Sequence, residues 1–146
     1  MRWELRAFDA LTVAELYGIL RTRQEVFVVE QKCAYADADG LDPEASHLFA
    51  VDGDAVIACA RLFAPGRRRR EAVIGRVVTA PSVRRSGLGR ELMRRAIDAV
   101  AAAHGPTAIW LGAQKYLQRF YESFGFQRDG EDYLEDGIPH LPMRRP

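Results

Sequence analysis

Two cysteines, three histidines, almost no surplus charge and no apolar run of membrane-spanning length narrow the options for this 146-residue chain before any motif is read. Cys33 and Cys59 lack C-x-x-C spacing, so free thiols in a reducing, cytoplasmic compartment are expected. His47, His104 and His140 are too scattered to suggest a histidine-built metal site. No segment has a signal-like pattern or approaches the ~20 apolar residues of a spanning helix, so no membrane partner is expected. With 21 basic and 20 acidic residues the formal net charge is +1, which exerts no global pull toward nucleic acid. Repeats, low-complexity linkers and a second-domain boundary are also missing. Residues 1–146 therefore read as one domain, and 48% hydrophobic content suffices for one substantial core.

What charge there is lies unevenly. Arginines crowd into 67–70 and 84–95, acids into 37–44 and 129–136. That pattern suits an anionic cofactor and a cationic acceptor, or equally two solvated surfaces. The Asp37-x-Asp39-Gly40-x-Asp42 cluster fails as an EF-hand loop, because the sixth and twelfth positions are Asp42 and Leu48. It reads instead as Asx turns. Arg67 to Arg70 has no interleaved aromatics and reads as a solvated hairpin tip, so no nucleic-acid partner is expected.

Trp3–Phe8 alternates apolar and polar residues, as a strand does. Thr12-Val13-Ala14-Glu15 fits a capping box, predicting a helix from Val13 to about Val28 with Leu16, Leu20 and Phe27 on its apolar face. Residues 30–47 form a long irregular connection, a common place for functional groups. Leu48–Val51 and Ala55–Phe63 flank Asp52-Gly53-Asp54 as a hairpin. Val73–Thr79 and Thr107–Leu111 are buried-type strands, Lys115–Phe124 is a helix, and Phe126 opens another strand. Pro139 and Pro142 restrict the strand-like tail 137–144 to an edge or an irregular pairing. The fold class is α/β in the α+β sense, with a mixed sheet and parallel pairing across the strand–helix–strand unit 73–111.

The chemistry concentrates where the 73–79 strand meets the next helix. Leu88, Leu92, Met93, Ala96, Ile97 and Val100 follow one another in steps of three and four, which gives that helix one apolar face. Just before it stands Arg84-Arg85-Ser86-Gly87-Leu88-Gly89. A strand feeding a glycine turn at a helix start is an anion-binding device, because unpaired N–H groups and the positive dipole end point at the ligand. Gly87 and Gly89 admit close approach, and Arg84, Arg85 and Arg90 add charge. A dinucleotide fingerprint would need glycine where Leu92 stands, and a P-loop would need Lys-Ser/Thr where Arg90-Glu91 stands.

The pattern Arg84-x-x-Gly87-x-Gly89 after a strand resembles the pyrophosphate loop of the GNAT superfamily of acetyl-CoA-dependent N-acetyltransferases. Arg23, Val26 to Gln31, Asp37, Asp39-Gly40, His47, Gln114, Tyr121, Gly125-Phe126 and Glu135 to His140 extend the likeness to the ElaA-like branch, over nearly the whole chain. The resemblance implies a GNAT fold, a mostly antiparallel twisted sheet flanked by helices. It further implies acetyl-CoA as acyl donor, its pantetheine arm along Val77, Val78 and Thr79. The pyrophosphate would lie in the loop of Arg84, Arg85, Ser86, Gly87, Leu88, Gly89 and Arg90. Gln114 stands where the family more often has Asn. Tyr121 matches the general acid that serves the leaving thiolate, although periodicity alone makes it core beside Phe120 and Phe124. A backbone N–H near Val78 is the family-based donor to the polarised carbonyl. Glu30 and His140 are the candidate bases, directly or through water, and His140 reads equally as a buried structural histidine. The implied reaction moves an acetyl group to a primary amine of a small molecule or peptide by direct attack in a ternary complex. Asp37, Asp39 and Glu30 are expected to draw in the cationic amine by their field. The alternative is a catalytically silent acyl-CoA-binding regulatory module. No metal is needed, and a homodimer is compatible with the reading.

Overall fold

The capping box forms as its sequence predicts: the Thr12 hydroxyl accepts the Glu15 N–H at 3.0 Å, and the Glu15 carboxylate accepts the Thr12 N–H at 2.9 Å. The computed structural model, which describes residues 1–146, places helix α1 at Val13–Arg23. The helix then widens into a π-helical segment, Gln24–Glu30, marked by the Gln31 N–H donating to the Val26 carbonyl at 3.0 Å. The helical run therefore ends near the predicted place, but with a wider last turn.

The strands are β1 Arg2–Ala7, β2 Ser46–Asp52, β3 Ala55–Phe63, β4 Ala72–Thr79, β5 Ile109–Gln114, β6 Gln127–Arg128, β7 Tyr133–Glu135 and β8 Ile138–Arg145. They form one eight-stranded sheet in the order β1-β2-β3-β4-β5-β8-β6, with β7 also on β8. Only β4 and β5 pair in parallel, so the sheet is mixed and mostly antiparallel. Helices α2, Leu88–His104, and α3, Gln118–Glu122, cover one face. Helix α1 covers the other. No helix is long and apolar enough to cross a membrane.

Side-chain alternation sorts the core. Leu48 and Ala50 of β2 join Leu88, Leu92, Met93, Ala96 and Val100 of α2, the predicted stripe. Phe49 and Val51, pointing the other way, join Ile19 and Val26 of the first helix. Fully burying a Leu or Met of the stripe contributes about 1.5–3 kcal/mol.

Strand β8 departs from the expected edge position. It lies inside the sheet, between β5 and the short strands β6 and β7. The prolines survive there because the pairing is irregular, which was the other predicted option. The Pro142 carbonyl accepts the Asp129 N–H at 2.9 Å, so its ring nitrogen faces the interval between β6 and β7. Three residues earlier, Pro139 faces the opposite side, one position beyond the last β5 pair, Gln114 with His140.

Candidate active site

The parallel contact between β4 and β5 is short. Only Ala72 with Ile109 and Val73 with Trp110 are in register, after which the strands part. The parting has two visible causes. Strand β5 stays paired with β8 out to Gln114. Strand β4 carries a bulge: Arg61 pairs with Gly75 but Cys59 with Val78, which leaves one extra residue in β4, and Arg76 takes φ +48°. A cleft of about 750 Å³ fills the wedge, lined by Ile74 to Thr79 of β4 and by Leu111, Gly112 and Gln114 of β5.

Backbone groups in the wedge lack sheet partners. The Ala80 N–H donates to the Ile57 carbonyl at 2.8 Å, and Val78 stands opposite Cys59. By alternation the peptide groups of Val78 face β3, whereas those of Thr79 face the opening. The N–H groups near Val78 that are free to meet a ligand are thus that of Thr79, or that of Val77 in the bulge, rather than Val78's own.

At the mouth of the cleft the loop opens α2. Arg85 and Gly87 both have positive φ, +66° and +84°, which turns successive N–H groups toward one side. The first intrahelical bond is from the Glu91 N–H to the Gly87 carbonyl, so the N–H groups of Leu88, Gly89 and Arg90 have no helical acceptor. Gly87 is needed for its conformation. Gly89 leaves room open beside the cleft: a Cβ there would make only ordinary contacts, 3.9 Å from Phe120 and Thr79. The Ser86 hydroxyl donates to the Val83 carbonyl and braces the turn. The Leu88 side chain is core, and Arg90 reaches away to the Ser123 hydroxyl at 3.2 Å and the Phe124 ring at 4.8 Å. The cradle therefore fits a diphosphate through backbone donors and Arg84, with Arg85 exposed beside it.

Arg84 itself is held by the other sequence candidate. Its guanidinium grips the Glu30 carboxylate in a bidentate pair at 2.6 and 2.8 Å, and this keeps the Glu30 carboxyl below the ordinary range. Glu30 does not line the cleft. Gln114 exchanges hydrogen bonds with Gln31 at 3.1 and 3.2 Å, joining β5 to the end of the π segment across the cleft.

Deeper in, Tyr121 is 6% exposed, wedged edge-on between Phe120 and Phe126 with centroids 5.1 and 6.1 Å away. Its hydroxyl has no protein partner yet is not sealed off, and the residue lines the cleft. Burial pushes the phenol above its ordinary pKa, so it keeps its proton. His140 of β8 is fixed at Nδ1, which donates to the Ile138 carbonyl at 2.7 Å, and its ring stacks on Tyr133 at 5.6 Å. That bond makes Nδ1 a donor, so in the neutral ring Nε2 is the acceptor nitrogen, and it stands 3.3 Å from the Glu135 carboxylate.

The loop acids do not act as a free negative field. Arg23 binds Asp37 and Asp42, each at 2.8 Å, Arg61 binds Asp39 at 2.7 Å and Asp42 at 3.1 Å, and Arg76 reaches Asp37 at 2.9 Å and Asp39 at 3.2 Å. Three arginines balance three aspartates, and Arg84 balances Glu30, so the attraction expected of Asp37, Asp39 and Glu30 is offset by the arginines that hold them. Asp39 also accepts the Leu41 N–H, the expected Asx turn. The carboxylates left on the cleft are Glu135 and Asp136 of the β7–β8 turn. Arg76 escaped the sequence reading. Its one signal there is a charged residue interrupting the buried-type run Val73 to Thr79.

Residues 14–145 match the acetyltransferase (GNAT) domain. ElaA of Escherichia coli is 37% identical over 147 aligned residues, 99% of this chain and 96% of that protein. Its crystal structure superposes with a TM-score of 0.93 over 99% of each chain. A Pseudomonas aeruginosa protein described as an acyl-CoA N-acyltransferase superposes with a TM-score of 0.95 at 44% identity, over 100% of both chains. Matched by the family over residues 14–145 and by these relatives along its whole length, the chain belongs to the GNAT acetyltransferase family, whose reaction is acyl transfer from acyl-CoA.

Proposed function

We propose that this protein is an N-acetyltransferase that carries an acetyl group from acetyl-CoA to a primary amine, by direct attack within a ternary complex. The observation that carries the reading is the Tyr121 hydroxyl: on a buried residue, without a protein partner, and open to a wedge whose mouth holds the Gly87–Gly89 loop. The name of the Pseudomonas relative, an acyl-CoA N-acyltransferase, supports the same donor class. Val77, Thr79, the loop N–H groups and Arg84 are the residues to hold the donor.

Acetyl-CoA supplies the acyl group as a thioester, so the exchange replaces a C–S bond by a C–N bond and releases a proton from nitrogen and a thiolate. The chain's own residues handle both. Nε2 of His140, held as the acceptor nitrogen by the Ile138 contact, takes the amine proton, and Glu135 stabilises the resulting imidazolium. The Tyr121 phenol hydrogen-bonds the leaving sulfur and hands it a proton, which the phenol regains from solvent through the open cleft, so no tyrosinate persists. The free N–H of Thr79 or Val77 serves the carbonyl oxygen as charge builds there.

Coenzyme A release over a panel of primary amines tests the activity. Tyr121→Phe is expected to lower kcat roughly a hundredfold or more, with acetyl-CoA Kd changed less than about threefold. An undiminished kcat assigns Tyr121 to the core. Tight acetyl-CoA binding with no turnover on any amine sinks the enzymatic reading in favour of a silent binding module.

A further inference from the structure

Two segments outside β4 and β5 form walls of the cleft. The loop after α1 brings Cys33 and Tyr35, the β7–β8 turn brings Glu135 and Asp136, and the Cys33 thiol meets the Asp136 carbonyl at 3.4 Å, joining them. Arg76 enters from the β4 bulge, in a backbone conformation that non-glycine residues avoid. Strain of this kind persists where surrounding structure holds it, and it marks functional positions. Here the bulge turns the Arg76 side chain off the regular strand path and onto the cleft.

Its donors are only partly used. Nη2 donates to the Asp37 carbonyl at 3.3 Å and to the Asp39 carboxylate at 3.2 Å. Nη1 has no protein acceptor, and Nε, 2.9 Å from Asp37, is misaligned for a hydrogen bond. Arg23, by contrast, uses Nε, Nη1 and Nη2 on Asp37 and Asp42 and is 1% exposed. Nε is buried, so Nη1 is the unused donor that Arg76, the one arginine of this cluster lining the cleft, keeps for a ligand, and guanidinium groups match carboxylates. Glu135, 3.3 Å from His140 Nε2, and Asp136, without a salt-bridge partner, supply negative charge on the β7–β8 turn, which lines the same cleft. A ligand suited to both walls carries an ammonium toward Glu135 and His140 and a carboxylate toward Arg76.

We infer that the acceptor is a carboxylate-bearing amine, an amino acid or a peptide end, whose carboxylate is bound by Arg76. The inference rests on the N-acetyltransferase reading and narrows its acceptor. Matched pairs that differ only in the carboxylate test it: lysine against cadaverine, tyrosine against tyramine, tryptophan against tryptamine. Coenzyme A release gives kcat/KM, and calorimetric titration of each amine into the protein saturated with coenzyme A gives affinity without turnover. In the unsubstituted protein the carboxylated member of at least one pair is expected to lead by roughly tenfold or more in both measurements. In Arg76→Gln the lead should shrink to about twofold, whereas a merely structural role would weaken both members alike and leave the ratio standing. If Arg76→Gln does not fold, the pairs measured on the unsubstituted protein decide alone. Turnover with equal rates, or with the decarboxylated amines ahead, removes the acceptor class and leaves the acetyltransferase standing. Acetyl-CoA binding without turnover on either member of any pair removes both.

Discussion

Glu30 ends the π-helical segment and carries a carboxylate, which suits a base, yet its oxygens lie 2.6 and 2.8 Å from Arg84 and the contact lowers its basicity. Both side chains are 41% exposed, so the pair itself adds little stability, about 0–1 kcal/mol. Its consequence lies in competition: the carboxylate occupies the guanidinium that a diphosphate needs. Glu30→Gln is expected to tighten coenzyme A binding by roughly two- to fivefold and to leave kcat within about threefold. Calorimetry and steady-state rates check the two halves. A kcat loss near a hundredfold would instead make Glu30 the base and displace His140. The same neighbourhood marks the limit of reading residues singly. The loop glycines and Tyr121 were legible because local spacing and family likeness specify them. The partnership of Gln31 with Gln114, 83 positions apart, and the aim of Arg76 depend on which strands meet, which no local pattern encodes.

At the scale of elements, what could be read depended on how local the cause was. Helix α2 has its stripe and its Gly105-Pro106 stop in one contiguous segment, and the β2–β3 hairpin has its turn between its strands, so both appear where expected. Strand β7 was missed because three residues carry no usable periodicity. Strand β8 was half read: proline forbids a ladder bond, but sequence does not say toward which neighbour its nitrogen points. The docking of α1 was also hidden. A register shift near Val51 alters the β2–β3 ladder, and the Val56 carbonyl takes its hydrogen bond from the Thr22 hydroxyl of α1 at 2.6 Å. Gly18, one turn earlier, lets the helix sit close, because a Cβ there would fall 2.6 Å from Val56 Cγ2. Gly18→Ala therefore sets two effects against each other. Helix propensity gains at most ~1 kcal/mol, while overpacking costs typically ~1–3 kcal/mol. Net destabilisation of about 1 kcal/mol is expected from denaturant midpoints. An increase in stability would show that α1 can shift outward freely.

The whole molecule couples these elements through one buried ionic cluster, and its response to acid follows from the groups in it. Asp42 lies between Arg23 and Arg61, and its backbone carbonyl accepts the His47 Nε2–H at 2.9 Å, so α1, β2, β3 and the connection 30–47 meet there. Burial lowers the pKa of His47 below its ordinary 6.5, and Arg61 and Arg23 hold Asp39 and Asp42 respectively below the ordinary carboxylate range. All three shifts have the same sign. Below pH 6.5 the unfolded chain protonates His47 while the folded one resists, so stability that is complete above pH 6.5 is lost as pH falls. The slope attributable to this histidine is at most about 1.4 kcal/mol per pH unit. The aspartates contribute stability that is complete above about pH 4, the unfolded carboxylate value, and is lost below it. Acid unfolding should therefore proceed in two stages, a shallow decline from neutral pH toward 5 and a steeper one below 4. Gln at position 47 can keep an N–H for the Asp42 carbonyl without titrating. In His47→Gln the first stage should flatten while the second remains, even if the midpoint at pH 8 is lower. Denaturant midpoints taken from pH 8 to pH 3 for both proteins resolve the stages. A decline between pH 7 and 5 that survives the substitution would move its origin away from His47, and a flat response in the unsubstituted protein would mean that water reaches the histidine in its folded setting.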